Sequence, residues 1–175
     1  MQHSLCNAHL LRELNYFGET MEGHQWPIQL KQILIDAKVA VKSAQTSGET
    51  QISPDKLTEL ERRYDEWVGI GLMLFPKKTP PAGGKGKVKQ LPATNLLLRL
   101  HDFKTEALRF LSDFAVPFDN NLAERLIRPV KVKLKVAGGF RAFGGAEAFC
   151  VIRSIWETAK LNGKNPFDSL RQAFA

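Results

Sequence analysis

Disulfide chemistry is the first thing this chain does without. Its 175 residues hold two cysteines, Cys6 and Cys150, far apart in sequence. That excludes a disulfide framework and fits a reducing cytosol. Long hydrophobic runs are missing too. The longest, Val68–Phe75, is much shorter than the about 20 apolar residues that a bilayer-spanning helix needs. The N-terminus, MQHSLCNAH, lacks the charged-then-apolar layout of a signal peptide. A soluble cytoplasmic protein is expected. No internal repeat and no glycine-rich phosphate loop occurs, neither GxGxxG nor GxxxxGK before Ser or Thr. No Ser-His-Asp or Cys-His-Asn arrangement is legible. The last shortage is of one charge sign: no acid lies between Arg125 and Ala146.

What is present is a core-forming, basic composition. Hydrophobic residues make up 43%, enough for a packed core and against global disorder. The net charge is +7 and the pI about 9.5, and the charge is unevenly spread. Residues 1–66 carry 7 Lys/Arg against 10 Asp/Glu, and residues 67–175 carry 18 against 8. A polyanion, most simply nucleic acid, is the partner such a gradient predicts for the C-terminal two-thirds; a basic protein with no such partner is the plainer alternative.

Helical periodicity dominates. Residues 8–20 read as a short helix on Leu10, Leu11, Leu14 and Phe17. Residues 27–46 read as a longer one, with Pro27 at its start. Residues 54–74 place Leu57, Leu60, Tyr64, Trp67, Gly71 and Leu74 in a heptad-like seam, so the two long helices are expected to pair as an antiparallel hairpin. Residues 76–92, PKKTPPAGGKGKVKQLP, read as a basic linker, a mobile loop that can also rest on DNA phosphates. Residues 93–113 form another amphipathic helix, 146–161 an apolar one, and Asn165-Pro166 starts the last. Gly138-Gly139 and Gly144-Gly145 are expected to bracket a loop. Between them and Pro129, Val130, Val132, Leu134 and Val136 alternate with Lys131, Lys133 and Lys135. That period of two suggests a short half-buried strand over 130–136, and continuation of the preceding helix beyond a kink at Pro129 is the alternative.

The residues that could carry chemistry gather in 117–141, PFDNNLAERLIRPVKVKLKVAGGFR. Glu124 stands alone at the head of six cations, Arg125, Arg128, Lys131, Lys133, Lys135 and Arg141. Asp119, Asn120 and Asn121 are all good helix N-caps. Asn121 with Glu124 is close to a capping box, and Glu124 with Arg128 makes an i,i+4 pair. The functional alternative is a metal-binding carboxylate beside cations that hold phosphates. One carboxylate cannot hold two hard cations, so further ligands would have to come from elsewhere. The lysines over 130–136 would share one face of a strand, as phosphate contacts or as protection of a sheet edge. His3, Cys6 and His9 have the spacing H-x2-C-x2-H, a weak zinc pattern with no second cluster, since His24 and His101 are isolated.

Taken together, DNNLAERLIRP and KVAGGFRAFGGAEAFCVIRSIWETAKLNGKNPFDSL resemble the C-terminal part of insertion-sequence-66-type transposases. HSLCNAHLLRELNYF is similar to the segment after the second catalytic Asp of that family, and GKGKVKQLPATNLLLRL to its insertion region. The resemblance implies a DDE transposase, in which two Asp and one Glu hold two divalent ions, Mg2+ or Mn2+, on a ribonuclease-H-like core. It implies that Glu124 is the Glu of the triad, and that Cys6 and His9 pack near the site rather than bind metal. The fold it implies is mainly α, the C-terminal part of such a core with a helical insertion. Residues 1–20 would continue from the core, 21–92 would be the insertion and 93–175 the core portion carrying Glu124.

The chain starts after the place where both aspartates are expected, and none of its other acids has a matching context. The expectation is therefore a transposase fragment that is inactive alone and binds no metal tightly. It would have DNA as partner and no membrane, and would sit with the bacterial nucleoid. Uncovered apolar surface would favour self-association or pairing with full-length transposase. The alternatives are a non-catalytic basic DNA-binding or regulatory module, and a decayed gene product.

Overall fold

The computed structural model describes residues 4–80 and 88–175. His3 and the centre of the basic linker, 81–87, lie outside the described residues. All regular elements among the described residues are α-helices. They fall into two units, Met1–Asn120 and Asn121–Ala175.

In the first unit, α1 (Asn7–Thr20) buries Leu10, Leu14 and Phe17, which steps of four and three place on one face. α2 (Trp26–Thr46) starts with Pro27 in its first turn, where a missing N–H costs nothing. It fully buries Trp26, Leu30, Ile33, Leu34 and Ala37. α3 (Pro54–Leu74) is capped by Ser53, whose hydroxyl accepts the Lys56 N–H at 3.4 Å. Arg63 of α3 meets Asp36 of α2 at 3.1 Å, while Lys56 shares a surface depression with Ala40 and Ala44. The two helices therefore run in opposite directions, as the expected hairpin requires. The predicted seam holds from Leu57 to Gly71, but Leu74 is largely exposed.

The helix expected over 93–113 is two. α4 (Pro92–Asp102) ends at Phe103 and α5 (Lys104–Ser112) begins there. The buried Tyr64 hydroxyl donates to the Leu100 carbonyl at 2.9 Å, satisfying one of the acceptors that a helix end leaves open. Burial pushes the Tyr64 phenol well above its ordinary range. Gly71 lets α3 approach α4: a Cβ there would collide with Leu97 Cδ2. The start of the chain is stitched to residues 106–120. Leu5 N–H donates to the Glu106 carbonyl at 3.0 Å, and Asn7 N–H to that of Phe118 at 3.2 Å. The buried Asn7 side chain donates to the Ala107 carbonyl at 2.9 Å.

The second unit holds α6 (Asn121–Ala137), α7 (Phe143–Leu161) and α8 (Pro166–Ala173). α7 and α8 pack on each other through Trp156 and Phe167, edge to face at 5.0 Å. Asn165 caps α8 by accepting the Phe167 N–H at 3.0 Å. Gly138 and Gly139 turn the chain after α6 with φ of 67° and 136°, whereas Gly144 and Gly145 belong to the first turn of α7 rather than to a loop. Ala159 is the one apolar residue of this unit that is fully enclosed among those described.

The strand expected over 130–136 is corrected: these residues are the second half of α6, with Pro129 inside the helix. The physical reason is hydrogen bonding. A strand must pair its N–H and C=O groups with a neighbour, and no strand exists among the described residues to do so. A helix pairs them within itself. Pro129 withholds only the N–H that would meet the Arg125 carbonyl one turn back.

Candidate nucleic-acid interface

The helical register of α6 decides which charged side chains share a face. Residues four, seven and eleven positions beyond Glu124 lie within about 40° of it around the helix axis. These are Arg128, Lys131 and Lys135. Glu124 sits in the first turn of α6, where the positive end of the helix dipole favours a carboxylate. It is half-buried, while Arg128, Lys131 and Lys135 are exposed. The row spans about 16 Å, eleven residues at 1.5 Å each. Lysines near the C-terminal end, Lys135 among them, oppose the negative end of the dipole.

The remaining predicted cations are placed otherwise. Arg125 and Lys133 turn away from the Glu124 row and line an open cleft between α6 and α7. The face that a strand would have given to all three lysines is therefore split between two sides of one helix. Arg141 is exposed in the segment joining α6 to α7. Of the polar residues expected near the site, Asp119 and Asn120 close the first unit and Asn121 opens α6. Cys6 is half-buried, and its Sγ accepts the Asn120 N–H at 3.3 Å. His9 is exposed in the first turn of α1, its N–H donating to the Cys6 carbonyl at 3.1 Å.

Sequence reasoning missed the opposite wall of the cleft. Phe149, Arg153, Glu157 and Lys160 line it from α7, and Arg153 is salt-bridged to Glu157 one turn on. The signal was in the sequence: steps of four, four and three put these residues on one side of α7, within a segment that apolar content alone marks as a helix.

Fold and site together define a mainly helical protein that concentrates positive charge on one helix carrying a single carboxylate. No helix among the described residues is long and apolar enough to cross a membrane. The family model described as "Transposase IS66 family" matches residues 1–148, and the chain belongs to that family. A curated relative, "Uncharacterized protein y4qI" of Sinorhizobium fredii, is 34% identical over 171 residues, covering 95% of this chain and 29% of the relative. The chain thus spans less than a third of that relative's length. No solved structure matches it.

Proposed function

We propose that this chain supplies Glu124 and the cationic face of α6 to a DDE-type transposase that cleaves and joins DNA on a ribonuclease-H-like core. The observation that carries the reading is the register of α6. In a chain of a transposase family, it stacks Arg128, Lys131 and Lys135 behind the one carboxylate of that helix. Phosphates of duplex DNA lie along the row, and the cations fix its position without reading its sequence. On this reading residues 1–20 continue from the core, 21–92 are a helical insertion, and 93–175 are the portion of the core that carries Glu124.

A divalent ion, Mg2+ or Mn2+, is implied by the mechanism. The donors of the second unit do not make a complete centre. α6 offers one carboxylate, and a two-ion site takes carboxylate oxygens from several residues. Glu124 fits as one ligand of such a centre, the others coming from beyond α6, and DNA cleavage is not expected of this chain alone. Apolar side chains left open on α7, Phe143 and Val151 among them, favour association with a second copy or with a complete transposase.

The test is equilibrium binding to duplex DNA across a salt series. Wild type should bind with a steep salt dependence. Lys131→Ala with Lys135→Ala should flatten the log–log slope by about 0.9 for each phosphate that is no longer neutralised. Absence of salt-dependent binding would sink the DNA reading. In a complete transposase containing this segment, Glu124→Gln should bring strand transfer to background while DNA binding persists. Retained strand transfer would remove Glu124 from the catalytic set.

A further inference from the structure

The second face of α6 is built differently from the Glu124 row. The cleft it forms with α7 has a volume of about 920 Å3, within the size range of small-ligand sites. Part of its lining is apolar. Pro129, Val132 and Val136 follow Arg125 along α6 at steps of four, three and four, and Phe149 faces them from α7. Cations line it from both helices, Arg125, Arg128 and Lys133 from α6 and Arg153 and Lys160 from α7. The one acid in the lining, Glu157, is held by Arg153. Five cations against one carboxylate give the cleft a net charge of +4. The apolar part is open to solvent: Val132 is 52% exposed and Val136 81%.

The occupant has to match both features. Duplex DNA presents phosphates outward and keeps its base faces stacked inside, so it would engage the cations and leave the apolar side chains in water. An unpaired strand presents phosphates and base faces together, and the two meet cationic and apolar surface in such a groove. We propose that the α6–α7 cleft holds an unpaired DNA segment, its phosphates on the arginines and lysines that line it and a base against Phe149. The assignment rests on the DNA-binding reading above and adds a second, strand-selective surface to it. Phe149 is buttressed by Phe140, ring to ring at 5.4 Å, which holds the stacking surface in place. Arg128 belongs to both faces, bordering the duplex row on one side and the cleft on the other, so a duplex that ends or opens there passes from one to the other.

The experiment compares binding of the whole chain to a short single strand and to the duplex of the same sequence, at matched salt. Phe149→Ala should weaken single-strand binding by about ten-fold and change duplex binding by less than two-fold. Phe149→Trp, which keeps a ring, should restore single-strand affinity, and this separates stacking from damage to the fold. Lys131→Ala with Lys135→Ala should show the reverse selectivity. If Phe149→Ala leaves single-strand binding intact, or weakens both forms equally, the cleft assignment is overturned while duplex binding by the Glu124 row stands. If wild type binds neither form, both readings fall.

Discussion

Gly69 and Gly71 lie two residues apart in α3 and should respond oppositely to the same kind of change. A Cβ at Gly69 meets nothing within 4 Å, whereas one at Gly71 runs into the fully buried Leu97. Gly69→Ala should stabilise the first unit by about 0.5–1 kcal/mol, the helix-propensity difference. Gly71→Val should destabilise it by about 1–3 kcal/mol through overpacking. Urea titration followed by circular dichroism measures both, and equal effects would mean that α3 and α4 do not approach closely at Gly71. Tyr64 adds a pH dependence. Its phenol is shifted upward by burial, so above about pH 10 the unfolded chain has released a proton that the folded chain still holds. The unfolded state then binds fewer protons, and stability falls as pH rises. Tyr64→Phe should cost about 1 kcal/mol at neutral pH, for the missing hydrogen bond to Leu100. It should also flatten the alkaline decline, and an unchanged slope would mean that Tyr64 is not buried. At this scale the sequence was informative about Glu124, a lone acid in a long cationic stretch. It placed Tyr64 in the apolar seam of α3 but was silent about its hydrogen bond, whose acceptor is 36 residues away.

The helices were legible where apolar spacing was strict, as in α1, α2 and α3, because a core face at steps of three and four leaves one reading. Periodicity failed at 130–136 for a definite reason. A seven-residue alternation of Val or Leu with Lys satisfies a period of two, yet on a helix it also gives two coherent faces, Val132 with Val136 and Lys131 with Lys135. Choosing between them depends on whether a neighbouring strand exists, which a local pattern does not contain. The helix makes a prediction that a strand does not. Lys131→Ala and Lys135→Ala should each weaken duplex binding more than Lys133→Ala, since Lys133 lies on the cleft side. Equal weakening at all three would restore the strand. Pro129→Ala should return the N–H missing from α6 and slow amide exchange in residues 130–136, visible by hydrogen exchange with mass spectrometry. No slowing would place the helix boundary at Pro129.

Across the whole chain, apolar burial is divided unequally. The first unit encloses a continuous core drawn from α1 to α5, whereas the second encloses Ala159 among its described residues and leaves Phe143, Val136 and Phe174 at least 70% exposed. Local opening free energy follows buried contacts. Amides of α6 and α7 should therefore exchange faster than those of α2, and light scattering should show an apparent mass that rises with concentration as the open apolar surface finds a partner. Uniform exchange rates, or a constant monomer mass at high concentration, would contradict this. The charge gradient along the sequence pointed to the C-terminal two-thirds, residues 67–175. The division at Asn120 did not stand out, because it falls inside a run of good capping residues that marks any helix start.

The first unit opens and closes at one point. The sulfur of Cys6 and the amide of Asn120 are in hydrogen-bonding contact, with 113 residues of the sequence between them. The polypeptide thus leaves α1–α5 beside the point where it came in. A module with its two ends side by side can be spliced into a surface loop of another domain, or lifted out and closed with a short bridge, without pulling its host apart.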